Sequence, residues 1–250
     1  MKKYFFVLLF LGLACVPVFA ERSWKNETLK YSLYLGPLKV GEASFVTENM
    51  TFEGQKVVRL DLVARTTSAA EKLFSLNDSL TTYIDPQKTL PVYFHKHFIE
   101  GDYEAEEFTR FTYPAGGGYS VKMHKEVNDG RVKDKTATSN VPVYDMVSAI
   151  SYVQTMNTSG LKAGQEFKVR LTDGAEMLDD RLVFKGRETV KTSGKKFECL
   201  VFKLMEPYVE KGKTKYTDVL TIYVTDDDNR KLIQVDRKFS VGSAKAKINL

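Results

Sequence analysis

Apolar and polar side chains alternate with a period of two along most of this chain, and Gly, Pro, Asn and Asp interrupt the alternation at short intervals. Val58, Leu60, Leu62 and Ala64 alternate with Arg59, Asp61 and Arg65, and Leu220, Ile222 and Val224 alternate with Thr221 and Tyr223. Successive side chains of extended backbone point to opposite faces, so the pattern predicts strands with one face toward a core. Turn residues separate them at Gly36-Pro37, Glu53-Gly54, Asp85-Pro86, Gly101-Asp102, Gly116-Gly117-Gly118, Asp129-Gly130, Ser193-Gly194 and Asp226 to Asn229. At least nine short strands joined by hairpins predict an all-β fold of antiparallel curved sheets, a sandwich or a half-open barrel. One segment has the other period. Met146, Ala149, Ile150 and Val153 recur at helical spacing, with Pro142 ahead of them and Asp145 near the positive end of the helix dipole. One short helix is expected over 143–156, joining β-rich halves of about 29–125 and 161–250. No linker long enough to free the halves lies between them, so residues 21–250 are expected to form a single domain.

Three consecutive strands can be laid in register from their turns: Val92 to Ile99, Tyr103 to Tyr113 and Tyr119 to Glu126. A two-residue hairpin at Gly101-Asp102 sets Glu100 against Tyr103, His97 against Glu106 and His95 against Phe108. A turn over Pro114 to Gly118 then sets Phe108 against His124 and Glu106 against Glu126. One face of this meander carries His95, His97, Glu104, Glu106, Arg110, His124 and Glu126, and the other carries Phe94, Phe98, Ala105, Phe111, Val121 and Met123. A slip of one residue would mix the two sets, which supports the register. All three histidines share the polar face. Imidazole and carboxylate suit zinc, so His95, His97 and His124 with Glu106 or Glu126 are the candidate metal ligands. Geometry speaks against them: two strand spacings, about 10 Å, separate His95 from His124, and Phe108 stands between. The expectation is a solvated face with cross-strand charge pairs, no metal and no cofactor.

Composition narrows the class. With 43% apolar and 28% charged residues the chain can bury a core, which excludes wholesale disorder. The net charge is only +5 and the signs are interleaved, so no nucleic-acid partner is expected. Residues 1–20 read as a signal peptide: Lys2 and Lys3, an uncharged apolar run from Tyr4 to Cys15, then Val18-Phe19-Ala20, with cleavage expected before Glu21. That run is too short for a span of about twenty residues, and no transmembrane segment is expected in the mature chain. Lipidation at Cys15 is the weaker reading, because Gly12 stands where such signals carry Leu. Cleavage leaves Cys199 alone, in a strand-like run where a buried hydrophobe is expected rather than a reactive thiol.

Other motifs carry little chemistry. Asp226-Asp227-Asp228-Asn229-Arg230 lacks the spaced acids, central Gly and distal Glu of a calcium loop and reads as a polar hairpin turn. Asp179-Asp180-Arg181 reads as a solvated loop or a local ion pair, and Gly116 to Gly118 as a turn without phosphate-loop spacing. No GxSxG or HExxH is present, and no catalytic residue is assigned. Trp24, the one tryptophan, lies four residues past the expected cleavage site, where chain ends tend to be mobile.

Leu29 to Ala43 (LKYSLYLGPLKVGEA), Tyr144 to Ala149, Phe197-Glu198-Cys199 and Val224 to Arg230, with Val241-Gly242-Ser243, resemble the bacterial secreted family known as domain of unknown function 3108. The resemblance spans nearly the whole mature chain. It implies an exported protein of a Gram-negative envelope, periplasmic or secreted, with a β-rich fold akin to the curved half-open sheets of periplasmic lipoprotein carriers. The family has no assigned activity, so no catalytic position carries over and the ligand-binding residues stay unknown. The resulting expectation is a non-catalytic envelope protein whose sheet holds a lipid or other apolar small molecule or docks an envelope protein. The alternative is a hydrolase acting on cell-wall or imported glycans through the polar face.

Overall fold

A computed structural model describes residues 24–72, 75–238 and 243–250. The expected signal peptide and Cys15 lie outside the described residues. The first half forms β1 (Glu27–Leu35), β2 (Leu38–Phe52), β3 (Gln55–Thr66), β4 (Asn77–Ile84), β5 (Pro91–Glu100), β6 (Tyr103–Thr112), β7 (Tyr119–Val127) and β8 (Val132–Ser139). After β9 (Val143–Tyr144) and helix α1 (Met146–Thr155) come β10 (Glu166–Asp173), β11 (Glu176–Thr192), β12 (Lys195–Glu210), β13 (Lys213–Thr225), β14 (Leu232–Lys238) and β15 (Ser243–Asn249). All fifteen strands belong to one sheet, in the order β8 to β1 followed by β15 to β9. The two β-rich halves are fused because β1 pairs antiparallel with β15, from Lys30↔Asn249 to Leu35↔Ala244.

The sheet curls into a barrel-like shape. Its edges are β8 and β9, and side chains span the seam where no backbone ladder runs. Lys133 and Lys135 on β8 both pair with Glu176 on β11, and Arg170 on β10 donates to the Thr138 carbonyl at 3.3 Å. The concave side is filled. Phe184 and Phe202 pack with centroids 5.1 Å apart among Leu60, Ile84, Leu200 and Ile222, all fully buried. Helix α1 sits inside the curve with seven of its residues buried, including Val147, Ile150 and Val153. The inner face is mostly apolar, and most charged side chains are exposed or half-buried, Glu107 and Asp180 being buried exceptions. No helix among the described residues is long and apolar enough to cross a membrane.

The helix is shorter than the 143–156 expected. Val143 and Tyr144 extend instead as β9, parallel to Arg170 and Leu171 of β10. Asp145 caps the helix, its carboxylate accepting from the Val147 and Ser148 amides at 2.9 Å while the Ser148 hydroxyl accepts from the Asp145 amide. That reciprocal cap sets the first turn.

Gly41 on β2 shows a close approach that the alternation does not reveal. A Cβ there would lie 2.4 Å from the Arg65 carbonyl oxygen of β3, a backbone atom that cannot swing aside. Gly41→Ala is expected to lower stability by about 1–3 kcal/mol, read as a lower urea midpoint, and an unchanged midpoint would show that β3 shifts freely.

Candidate functional site

The polar face has the register read from the turns: Glu100↔Tyr103, His97↔Glu106, His95↔Phe108, Phe108↔His124 and Glu106↔Glu126. Its side chains disperse into separate pairs. His97 Nε2 lies 2.8 Å from Glu104 Oε1, and His124 Nδ1 lies 2.9 Å from Asp134 Oδ1. His95 stacks on Phe108 at 4.6 Å, with Nε2 3.9 Å from Glu106, and burial holds its pKa below the usual imidazole value. Arg110 is gripped by both oxygens of Glu53 at 2.8 Å. Among the described residues no three His, Cys, Asp or Glu side chains converge as metal ligands.

The remaining motifs settle into local roles, with one exception. Asp227 Oδ1 accepts from the Asn229 and Arg230 amides and shapes the turn after β13. Cys199 is buried in β12, and burial pushes its thiol up to about 12, well away from reactivity. Asp179-Asp180-Arg181 is not a solvated loop. It lies within β11, where Asp179 pairs with Arg170 and Arg181 with Glu166, while Asp180 turns inward and is buried. The energetic reason is the β10–β11 ladder, which pairs Arg170 with Asp179 and Val169 with Asp180 and outweighs the turn preference of two adjacent aspartates.

Sequence reasoning also missed a charged cluster on the inner face of the meander. Lys96 follows Phe94 in the inward series of β5, Glu107 follows Ala105 on β6, and Lys125 follows Met123 on β7. Glu107 is almost wholly buried, accepting from Lys125 Nζ at 2.9 Å and from the Gly174 amide at 2.9 Å, with Lys96 Nζ at 3.6 Å. The signal was present as charges breaking the apolar series, one per strand.

Antiparallel neighbours place successive turns on alternate rims of the barrel. The rim that carries the turn after β13 also holds the end of α1 and the chain before β1, and these enclose a recess of about 620 Å³. Leu29 of β1 and Phe45 of β2, a cross-strand pair, form an apolar floor with Met156 beside the helix end. Trp24 forms a wall and is not a loose end: its indole donates to the Pro86 carbonyl at 3.2 Å, and its own carbonyl accepts from Asn49 at 2.7 Å. Arg230 is fixed at the edge by Thr158 at 2.5 Å and Asp226 at 3.1 Å, and Gln154 donates to its carbonyl at 2.9 Å. Lys25, Glu27, Asp228 and Lys231 add charges of both signs. The recess thus joins an apolar floor to a polar rim, the chemistry of a binding pocket for an amphiphilic molecule.

A family model described as "Protein of unknown function (DUF3108)" matches residues 30–249. The chain belongs to this family. The match runs from β1 to β15 and so includes most of the recess and the whole inner face. No curated protein sequence matches the chain. Among solved structures, it is similar to a β-barrel-like protein of domain of unknown function DUF1849 from Brucella abortus. That likeness has a TM-score of 0.54 at 12% identity, covering 89% of this chain and 95% of the other. A putative exported protein with a YmcC-like fold from Bacteroides fragilis aligns with a TM-score of 0.37 at 8% identity, covering 90% of this chain and 96% of that one. The Brucella structure supports the barrel-like fold and nothing finer.

Proposed function

We propose that this DUF3108 protein is a non-catalytic binding protein of the cell envelope, exported by residues 1–20 and taking a small amphiphilic ligand in the recess at the Trp24 rim. The observation that carries this reading is the recess itself, whose volume of about 620 Å³ and mixed lining match those of small-molecule sites. The filled concave side supports placing the ligand at the rim. A cavity of about 50 Å³ among Leu80, Phe94 and Leu204 is the volume of only one or two waters, so an acyl chain has no room inside the barrel.

Native mass spectrometry of residues 21–250 purified from a bacterial periplasm tests the proposal. A stoichiometric adduct is expected, one that organic extraction releases and that Met156→Arg, at a half-buried position of the recess, abolishes with the fold retained. Trp24 supplies a second readout, since its emission should shift when the extracted material is added back. A clean apo mass together with unmoved Trp24 emission on addition of envelope lipid extract would overturn the reading.

A further inference from the structure

The two rims of the sheet differ in what their turns expose. At the rim opposite the Trp24 recess lie the turns after β1, β5, β7 and β12. Six of the seven large apolar side chains exposed among the described residues stand at these turns: Leu35 and Leu38, Tyr103, Val132, and Tyr208 and Val209. The seventh, Leu250, follows β15 at the other rim, where the turns after β2, β11 and β13 present Glu53, Ser193 and Asp228 instead. A single exposed apolar residue needs no explanation, but the confinement of six to one rim does. The turn after β12 also stands out beyond the sheet. β11 pairs with β12 only as far as Met205, and β14 pairs with β13 only from Leu220. Residues 206–210 and 213–217 therefore form a two-stranded arm, paired from Glu206↔Thr217 to Glu210↔Lys213. Near its tip Val209 is 75% exposed and Tyr208 42%. Beyond Pro207 the arm carries Lys211, Lys213 and Lys215 against one acid, Glu210, which pairs with Lys215. Lys211 and Lys213 make no ion pair among the described residues.

We propose that this rim, led by the β12–β13 arm, docks on the surface of a bilayer containing anionic phospholipid, with Tyr208 and Val209 entering the headgroup region and Lys211 and Lys213 facing lipid phosphates. Charge complementarity argues for this occupant. The lysines sit beside the most exposed apolar side chain of the molecule, and an anionic lipid surface satisfies both at once. Tyrosine suits such a boundary, because its ring is apolar while its hydroxyl stays wet. Apolar side chains spread over four hairpins also fit a deformable surface better than a rigid partner, which needs a contiguous patch of about 800 Å². The docking is peripheral, and it does not depend on the ligand proposed for the recess at the other rim.

Sedimentation of residues 21–250 with vesicles at low ionic strength tests this. Vesicles of phosphatidylcholine and phosphatidylglycerol in equal parts are expected to carry the protein down, and phosphatidylcholine alone to leave most of it in solution. Each lysine near an anionic surface is worth roughly fivefold, so Lys211→Gln combined with Lys213→Gln should weaken binding about twentyfold. Tyr208→Ser combined with Val209→Asp should weaken it about tenfold through lost apolar burial. All four positions are on the arm beyond the sheet, and an unchanged thermal midpoint confirms the fold of each variant. Met156→Arg, which blocks the recess, should bind vesicles like the parent; loss there with both arm variants unaffected would assign the lipid to the recess and overturn the proposal. Absence of binding, equal binding to both kinds of vesicle, or undiminished binding by the arm variants would overturn it as well. So would a photoreactive side chain in place of Val209 that cross-links in the periplasm to a protein and not to lipid, which would make the rim a protein interface.

Discussion

Replacing Asp145 by alanine is expected to lower the free energy of unfolding by about 2–4 kcal/mol, one of the largest single-residue effects in this protein. Asp145 is fully buried, and its two oxygens accept four hydrogen bonds. Oδ1 takes the Val147 and Ser148 amides at 2.9 Å, and Oδ2 takes the hydroxyls of Thr82 at 2.6 Å and Ser148 at 2.7 Å. Alanine removes the helix cap, worth about 1 kcal/mol, and strands buried donors on α1 and β4 at about 1–3 kcal/mol more. Burial pushes the carboxyl pKa up, and the bonds from Thr82 and Ser148 work against that rise. Asp145→Asn keeps the cap acceptor and should lose only about 1–2 kcal/mol, because the two hydroxyls can reverse and accept from the amide. Urea denaturation with an unchanged m-value measures both. A loss under about 1 kcal/mol for the alanine variant would mean that water replaces the four bonds.

The second large effect depends on pH. The protein is expected to be less stable at pH 8 than at pH 5, and Asp180→Asn to remove most of that difference. Burial, reinforced by the negative charges of Glu206 and Asp179, pushes the Asp180 carboxyl up to about 7. In the unfolded chain it titrates near about 3.9. Between those values the folded state holds a proton that the unfolded chain has lost, so stability falls as pH rises through this window and levels off above it. Between pH 5 and the folded value lie about two units, a ceiling of about 2.7 kcal/mol, and about 1–2.5 kcal/mol is the expected loss between pH 5 and pH 8. Asp78, raised to about 6 chiefly by burial, and Glu206, raised chiefly by burial, act in the same direction. Glu176, lowered to about 2 by Lys133 and Lys135, and Asp218, lowered by Lys203 and Lys238, stabilise above their unfolded values and give that up only as pH falls below the window. Urea midpoints at pH 5 and pH 8 at constant ionic strength decide the matter. If the difference persists undiminished in Asp180→Asn, the titrating group is another one.

Within the meander, sequence reasoning reached the level of individual cross-strand pairs. His97↔Glu106 and Phe108↔His124 followed from hairpin length and from the two-residue period, because both are local properties that a one-residue slip would violate along a whole strand. The same logic failed where long-range pairing outweighs local preference. Val143 and Tyr144 joined the sheet rather than the helix because β10 offered a parallel edge, and Asp180 went into a strand because it pairs with Val169 of β10. In both cases the pairing strand, and not the residue's own segment, decides the outcome, so neither effect is visible in the segment's own pattern.

The candidate sites divide in the same way. The polar face with its three histidines was legible, yet each histidine took its own carboxylate, since side chains on adjacent strands reach their nearest partner before any common centre. Alternation and turn chemistry by themselves determined an antiparallel β protein, the faces of its strands and the existence of α1. Only the tertiary structure decided that β1 pairs with β15 to make one curled sheet, that Trp24 and Arg230 line one recess, and that Asp180 is buried on β11. Those outcomes depend on which distant strands become neighbours, a choice made by burying the whole core at once rather than by any short stretch of residues.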